Sequence, residues 1–428
     1  MTPQKHIVFV SLPLLGHTNQ LLAIAEELVS RGHRVSFVIN DAVKVWVAQT
    51  GAEFIAWNPP IDSNSAARSS ALMWQTASQR ANRWQGDRLM LKQMIAVYTP
   101  LYHSIASILQ AASPDLLVID RAVFPAMDFA QQHQIPYIVQ TRFLGNFVKL
   151  PAHAPQFGTA YSQQMNFWER CLNRLAPTAL QTYLLPTLLK LNQVRKACGG
   201  GEVGDPFEHQ ITIVGNTFDL EIPRPLPDHV HLVGPIFAKA MPVLTESLQN
   251  WLDAAQSEGG VVYIAFGTLV TIQAWQAQAL IEGLTKTGLH VLWSLPEAQR
   301  SLLPSLPASV RVESFVPQPA VLSHPAVRLF VSHCGMNSIL EALYWQTPIL
   351  ALPFFGDQHD NAARLIDVGV ARRLHKQQFD AAEVTAKVEA LLHDLNMQNA
   401  VDRISSKFRQ TSGRDQAANL VETALMSR

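Results

Sequence analysis

Residues 6–39 limit the possible folds of this chain more than any other stretch. His6–Leu12 (HIVFVSL) is a short run of apolar and β-branched residues, the pattern of a strand buried on both faces. Leu21, Leu22, Ala25, Leu28 and Val29 then recur at the spacing of one helical face, and Gly32 ends that helix. Arg34–Ile39 (RVSFVI) is a second apolar run. A strand, a helix and a strand within about 35 residues make a βαβ unit, and a βαβ unit implies a parallel sheet.

The same grammar continues. Asp115–Ile119 and Tyr137–Gln140 read as strands with a helix around Pro125–Gln132 between them. It restarts in the second half, where Val261–Phe266, His290–Trp293, Val310–Glu313, Leu329–Ser332 and Pro348–Leu352 read as strands separated by helices. The proline-rich stretch Glu221–Pro235 is the expected linker. With 428 residues the chain is too long for one core. The expectation is an α/β protein of two doubly wound domains, 1–225 and 236–408, with a linker at about 221–235. After about residue 394 two helical segments end the chain, and 409–428 is expected to pack back on the first domain. Paired domains of this kind take a ligand in the cleft between them, at the carboxyl ends of the strands.

Composition narrows the function. Lys+Arg and Asp+Glu are both 33, so the basic excess of a nucleic-acid binder is missing. Three cysteines without a CxxC spacing favour a reducing cytosol. Lys5 and the apolar run to Leu15 resemble the start of a signal peptide, but Gly16-His17-Thr18-Asn19 interrupts the run and no small-residue cleavage pattern appears. No apolar run approaches the roughly 18–20 residues of a membrane span. A soluble cytoplasmic protein is expected. Gly199-Gly200-Gly201 lacks the Lys-Ser/Thr of a P-loop and reads as a plain loop.

Three polar clusters each follow a strand of the second half: Phe315-Val316-Pro317-Gln318, His333-Cys334-Gly335-Met336-Asn337-Ser338, and Pro353 through Asp357-Gln358. The second opens a helix, whose free N–H groups and dipole favour an anion. Gly335 allows close backbone approach, and His333, Asn337 and Ser338 can add donors. Glu341 lies one turn further on the same side as Asn337 and Ser338, placed to accept from ribose hydroxyls. Phe315 can stack on a base. Singly, each residue has a bland reading as a cap, loop or core residue. Asp357, His359 and Asp360 fit no standard metal spacing, and no metal is expected.

Together, FVPQ…H…FVSHCGMNS..E…TP…P…DQ resembles the signature of the UDP-dependent glycosyltransferases that modify small molecules, a group including plant secondary-product, bacterial macrolide and animal glucuronosyl enzymes. GHTNQ near the N-terminus and Phe266-Gly267-Thr268 extend the likeness. The resemblance implies the GT-B fold, two Rossmann-like domains whose parallel sheets face across a cleft. It implies that Phe315 and Val316 adjoin the base, with Gln318 near base and ribose. It further implies His333 and Thr268 on the phosphates, Gly335, Asn337 and Ser338 around the α-phosphate, Glu341 on ribose, and Asp357 and Gln358 on the transferred sugar. Phe315 and Met336, where plant members have Trp, match the bacterial branch and weaken a preference for uracil over thymine.

His17 follows the first strand and Asp120 ends the strand DLLVI, so both project from one edge of the first sheet. A carboxylate behind an imidazole makes a general base. The alternative is a helix-capping His17 and a loop-opening Asp120. The resemblance favours the base. A single displacement with inversion, a UDP-hexose donor (glucose above others, from Gln358) and no cofactor then follow. The acceptor, a small lipophilic alcohol, is expected near Leu14, Leu15, Trp84 and Phe143, with 60–100 as a variable loop or a surface helix. The stretch 165–196 is apolar and basic, and reads either as a core helix pair, the favoured reading, or as a membrane-surface helix. A nucleotide-sugar epimerase, a donor hydrolase and a non-catalytic sugar-nucleotide binder are the competing functions.

Overall fold

The computed structural model describes residues 5–59, 73–79, 83–145, 148–200 and 207–426. Two parallel sheets dominate it. The first has the order β3-β2-β1-β4-β5-β6-β7, with β1 His6–Val10, β2 Arg34–Ile39, β3 Glu53–Ala56, β4 Leu116–Asp120, β5 Tyr137–Thr141, β6 Thr212–Val214 and β7 Val230–Leu232. The second has the order β10-β9-β8-β11-β12-β13, with β8 Val261–Ala265, β9 His290–Ser294, β10 Val310–Glu313, β11 Val327–Ser332, β12 Ile349–Ala351 and β13 Ala371–Arg373. Every residue of β1, β4, β5 and β8 is buried, as apolar runs covered by helices on both faces must be.

Register fixes where chemistry can gather. In the first sheet Val10 pairs with both Val38 and the neighbour strand's Ile119, and Asp120 pairs with Gln140. The segments after β1, β4 and β5 therefore leave one edge together. In the second sheet Ser332 is opposite both Ala265 and Ala351, which aligns the segments after β8, β11 and β12. Strand order reverses between β1 and β4 and between β8 and β11, the positions where open α/β sheets leave a crevice for ligands.

The stretch Glu221–Pro235 departs from a free linker, because Val230–Leu232 hydrogen-bonds to β6 as the edge strand β7. The helix Leu395–Arg409 packs on the second unit through Val401, Ile404 and Phe408, in one cluster with Leu340 and Leu343. The last helix, Gly413–Met426, returns to the first unit. Ala417, Ala418 and Val421 join its core beside Leu21 and Ala25, and Arg31 reaches Glu422 at 2.8 Å. Among the described residues no helix is long and apolar enough to cross a membrane.

Candidate active site in the cleft

His17 lies in the first turn of the helix Leu15–Ser30, directly beyond β1. Its Nδ1 is 2.9 Å from Oδ1 of Asp120, the last residue of the adjacent β4. Asp120 is fully buried, and the same Oδ1 accepts the N–H of Ala122 at 2.8 Å. Burial alone would raise its pKa; the neighbouring His17, Arg142 and the Ala122 N–H outweigh it and hold the carboxyl below the usual range. An ionised Asp120 at Nδ1 leaves Nε2 of His17 as the lone-pair nitrogen.

Sequence reading missed Arg142. It follows β5, and the register of β5 on β4 brings its guanidinium 3.5 Å from Asp120 Oδ2 and 3.3 Å from His17 Nδ1. With the proton of Nδ1 directed at Asp120, the second contact is a close approach and no hydrogen bond, and Asp120 is the partner the guanidinium engages. Arg121, also missed, lies with its guanidinium 4.5 Å from the centre of the Phe143 ring. Burial and the nearby Arg142 lower its pKa to about 10, partly offset by Asp120 and Asp357. The useful signal was position alone: an arginine directly beyond each of two neighbouring strands.

The expected donor residues gather on the facing edge. Gln318 donates to Glu341 at 2.7 Å and to Ser338 at 3.1 Å, tying the two loops after β10 and β11 together. Burial lifts the Glu341 carboxyl to about 7 despite that hydrogen bond. His333 sits between two glycines. A Cβ on Gly335 would fall 2.6 Å from its Nε2, and one on Gly267 3.1 Å. Gly335 has a φ of −65°, so its role here is to clear space for the His333 ring and not to adopt an unusual backbone conformation. Burial lowers His333 to about 4, against a smaller upward pull from Asp357. It is therefore a neutral donor at pH 7 and no cation.

Cys334 adopts a φ of 65°, which turns the chain into the helix Met336–Tyr344. Asn361, another residue missed in the sequence, braces this turn by donating to the Cys334 carbonyl at 3.0 Å and to Asp357 at 2.7 Å. Gln358 accepts the N–H groups of Phe354 and Phe355 through Oε1, leaving its Nε2 as the remaining donor. Phe315 is 69% exposed, open to a stacking partner, and Thr268 is exposed. Val316 differs from expectation. Its side chain is buried in the second core, so only its backbone can meet a ligand.

The two edges touch. Asn337 donates to the Gly16 carbonyl at 3.2 Å, one residue before His17, and Gln20 donates to Asn337 at 3.3 Å. Asp360 accepts the N–H groups of Gly158 and Ala160 at 3.0 and 2.8 Å, and Asp367 accepts that of Gln163 at 2.9 Å. Residues 155–163 are thus strapped to the helix Gln358–Asp367. Asp357, His359 and Asp360 point to different partners, and among the described residues no three His, Cys, Asp or Glu side chains are grouped to hold a metal.

The expected acceptor residues divide. Leu14 and Leu15 flank His17, half-buried, and Phe143 stacks on Phe157 at 6.0 Å beneath Arg121. Trp84 packs against Tyr183 with ring centres 6.3 Å apart and donates to the carbonyl of Gly158, the residue after Phe157, at 3.5 Å. Within 60–100, residues 60–72 and 80–82 lie outside the described set. Met73 and Ala77 are buried, Trp74 packs on Phe355, and Ser78 accepts the Thr271 N–H, so 73–79 joins the second unit.

Comparisons with known proteins agree with this architecture. A family model described as UDP-glucoronosyl and UDP-glucosyl transferase matches residues 8–422. A UDP-glycosyltransferase of Talaromyces amestolkiae is 24% identical over 413 residues, 87% of this chain and 77% of that protein. UDP-glucuronosyltransferase 2B17 of Homo sapiens is 24% identical over 417 residues, covering 89% and 76%. Among solved structures, the glycotransferase of kitacinnamycin aligns with a TM-score of 0.72 at 22% identity, over 99% of both chains. CalG4, the calicheamicin glycosyltransferase, aligns at 0.66 and 20% identity, also over 99% of both. The fold is GT-B, and the chain belongs to the UDP-glycosyltransferase family as a UDP-sugar-dependent glycosyltransferase.

Proposed function

We propose that this enzyme transfers a hexose, glucose before others, from a UDP-sugar to a hydroxyl of a small lipophilic acceptor, with inversion. The observation that carries this is the buried Asp120 carboxylate 2.9 Å behind His17, next to the Gly16 carbonyl that Asn337 engages across the cleft. A base and an anion-favouring helix N-terminus then adjoin. His17 Nε2 takes the acceptor proton as the oxygen attacks the anomeric carbon, and Asp120 steadies the imidazolium. With no second carboxylate needed as a nucleophile, one displacement inverts an α-linked donor to a β-glycoside.

In this reading Ser338, Asn337, Thr268, Gly335 and the neutral His333 receive the diphosphate by N–H and O–H donation. Gln318 and Glu341 take the ribose, Phe315 the base, and Asp357 with Gln358 Nε2 the sugar hydroxyls. Asn337 exchanges its Gly16 contact for the phosphate. The leaving group is stabilised by these fixed dipoles, which act where charge develops. Leu14, Leu15 and Phe143 form the apolar wall for the acceptor. Arg142 holds Asp120 ionised as a positioning residue.

Thermal-shift screening against UDP- and dTDP-sugars, followed by an acceptor panel with the best donor, tests the reading. A shift with UDP-glucose and an acceptor-dependent β-glucoside support it. Donor consumption at the same rate without acceptor would instead mark a hydrolase or epimerase.

A further inference from the structure

The helix Phe167–Ala197 turns much of its apolar surface to water. Its buried stripe is Asn173, Thr187, Leu191 and Arg195. Asn173 accepts the Gln156 N–H at 2.7 Å and donates to the Ala154 carbonyl at 2.8 Å, while Arg195 donates twice to Asp128, at 2.9 and 2.6 Å. These polar contacts, with Leu191 and Val194 packed in the first unit's core, anchor its inward side. Leu180, Tyr183, Leu184, Leu188 and Val194 are half-buried, but six apolar residues point outward: Phe167, Trp168, Leu172 and Leu175 are 63, 73, 54 and 65% exposed, and Leu185 and Leu189 are 47 and 54% exposed. At about 100° per residue these six share an arc of about 140°, opposite the buried stripe. The core-helix reading favoured from the sequence applies to the C-terminal half, where Leu191 and Val194 pack in the first unit's core, and not to the exposed residues 167–175.

A water-facing helix of a monomer normally carries polar residues there, and an exposed apolar face of this size marks a contact surface. Its rims are basic. Exposed Arg170 and Arg174 flank one side, exposed Lys190 the other, and Lys196 stands in the last turn. The acidic residue among them, Glu169, is engaged in the capping box with Asn166.

We infer that this face docks on an anionic lipid bilayer surface, the helix lying in the interfacial plane. Trp168 and the leucines enter the headgroup boundary while the arginine and lysine heads reach lipid phosphates. A second copy of the chain fits less well, because self-pairing of the face sets Arg170 and Arg174 against like charges. The inner side of the helix meets Trp84 through Tyr183, so a bilayer-dissolved acceptor would be on the side of the first unit. That last point rests on the proposed acceptor class; the docking does not.

Flotation of the full chain tests this with vesicles of phosphatidylcholine containing phosphatidylglycerol, against phosphatidylcholine alone. The anionic vesicles should hold roughly tenfold more protein. Roughly 1 M salt, where the Debye length is about 3 Å, should release most of it. Trp168→Glu with Leu175→Glu should cut binding roughly tenfold with an unchanged melting temperature, and Arg170→Glu with Arg174→Glu should abolish the preference for phosphatidylglycerol. Equal flotation of the apolar-face variant and the parent would overturn the inference, as would no flotation of the parent. A dimer that the same substitutions dissociate, without vesicle binding, would assign the face to a second copy.

Discussion

His17 Nδ1 and Asp120 Oδ1 stand 2.9 Å apart although 103 residues separate them in the chain. They meet because β1 and β4 are neighbours and end on the same edge. Asp120→Asn keeps the shape and removes the charge. It should lower turnover by up to about 10⁴-fold, the size seen when an imidazole base loses its carboxylate. The substitution should also remove a pH-dependent contribution to stability. A carboxyl held below its unfolded pKa of 3.8 stabilises the fold above that pH, and the contribution fades as pH falls through the depressed value. Melting temperatures of parent and variant should therefore converge in acid, which calorimetry between neutral and acidic pH will read.

Glu341 makes the opposite prediction. Its folded pKa of about 7 lies above the reference 4.5, so its contribution to apo stability is complete below about pH 4.5 and is lost as pH rises through about 7. Glu341→Gln should be the more stable of the two apo proteins at pH 8. An ionised Glu341 accepts ribose hydroxyls better than a protonated one. UDP should therefore bind the parent more tightly at pH 8 than at pH 6, while the variant binds weakly at both. Titration calorimetry at the two values distinguishes the outcomes.

The strap between the units depends on Asp360, which accepts two loop N–H groups with its two oxygens. Asp360→Asn supplies one acceptor and turns an amide N–H₂ toward a backbone donor. The expected cost is about 1–3 kcal/mol. Because the same helix begins with Gln358, KM for the donor should rise more than kcat falls. Steady-state kinetics and thermal unfolding check this together.

Stabilisation of the leaving diphosphate by helix dipole and neutral donors predicts that turnover survives chelation. Incubation with excess EDTA should leave the rate within about twofold. Loss of activity, restored by a divalent cation, would mean that the donor site lacks the positive field this account gives it.

Most of the frame was legible because buried parallel strands must be continuous apolar runs, as in β1 and β8. The short strands β3, β6, β7 and β13 were not, since so short a run carries no period; β12, equally short, was legible because it sits inside the apolar run Pro348–Leu352. The grouping of Ser338, Glu341 and Gln318 was legible from helical spacing and from loops at a common sheet edge. Arg142 and Asn361 were hidden, because their relevance comes from strand register and a cross-loop brace. For Phe167–Ala197 the periodicity was visible but its inward face was not: Asn173 and Arg195 face in because they meet Ala154 and Asp128.

The most direct test of the account is the rate of sugar transfer by His17→Ala alongside its affinity for UDP. General-base catalysis predicts a fall in transfer of roughly 10² to 10⁴-fold with UDP affinity unchanged. Transfer to a hydroxyl acceptor near the parental rate would contradict the assignment of His17 as the base.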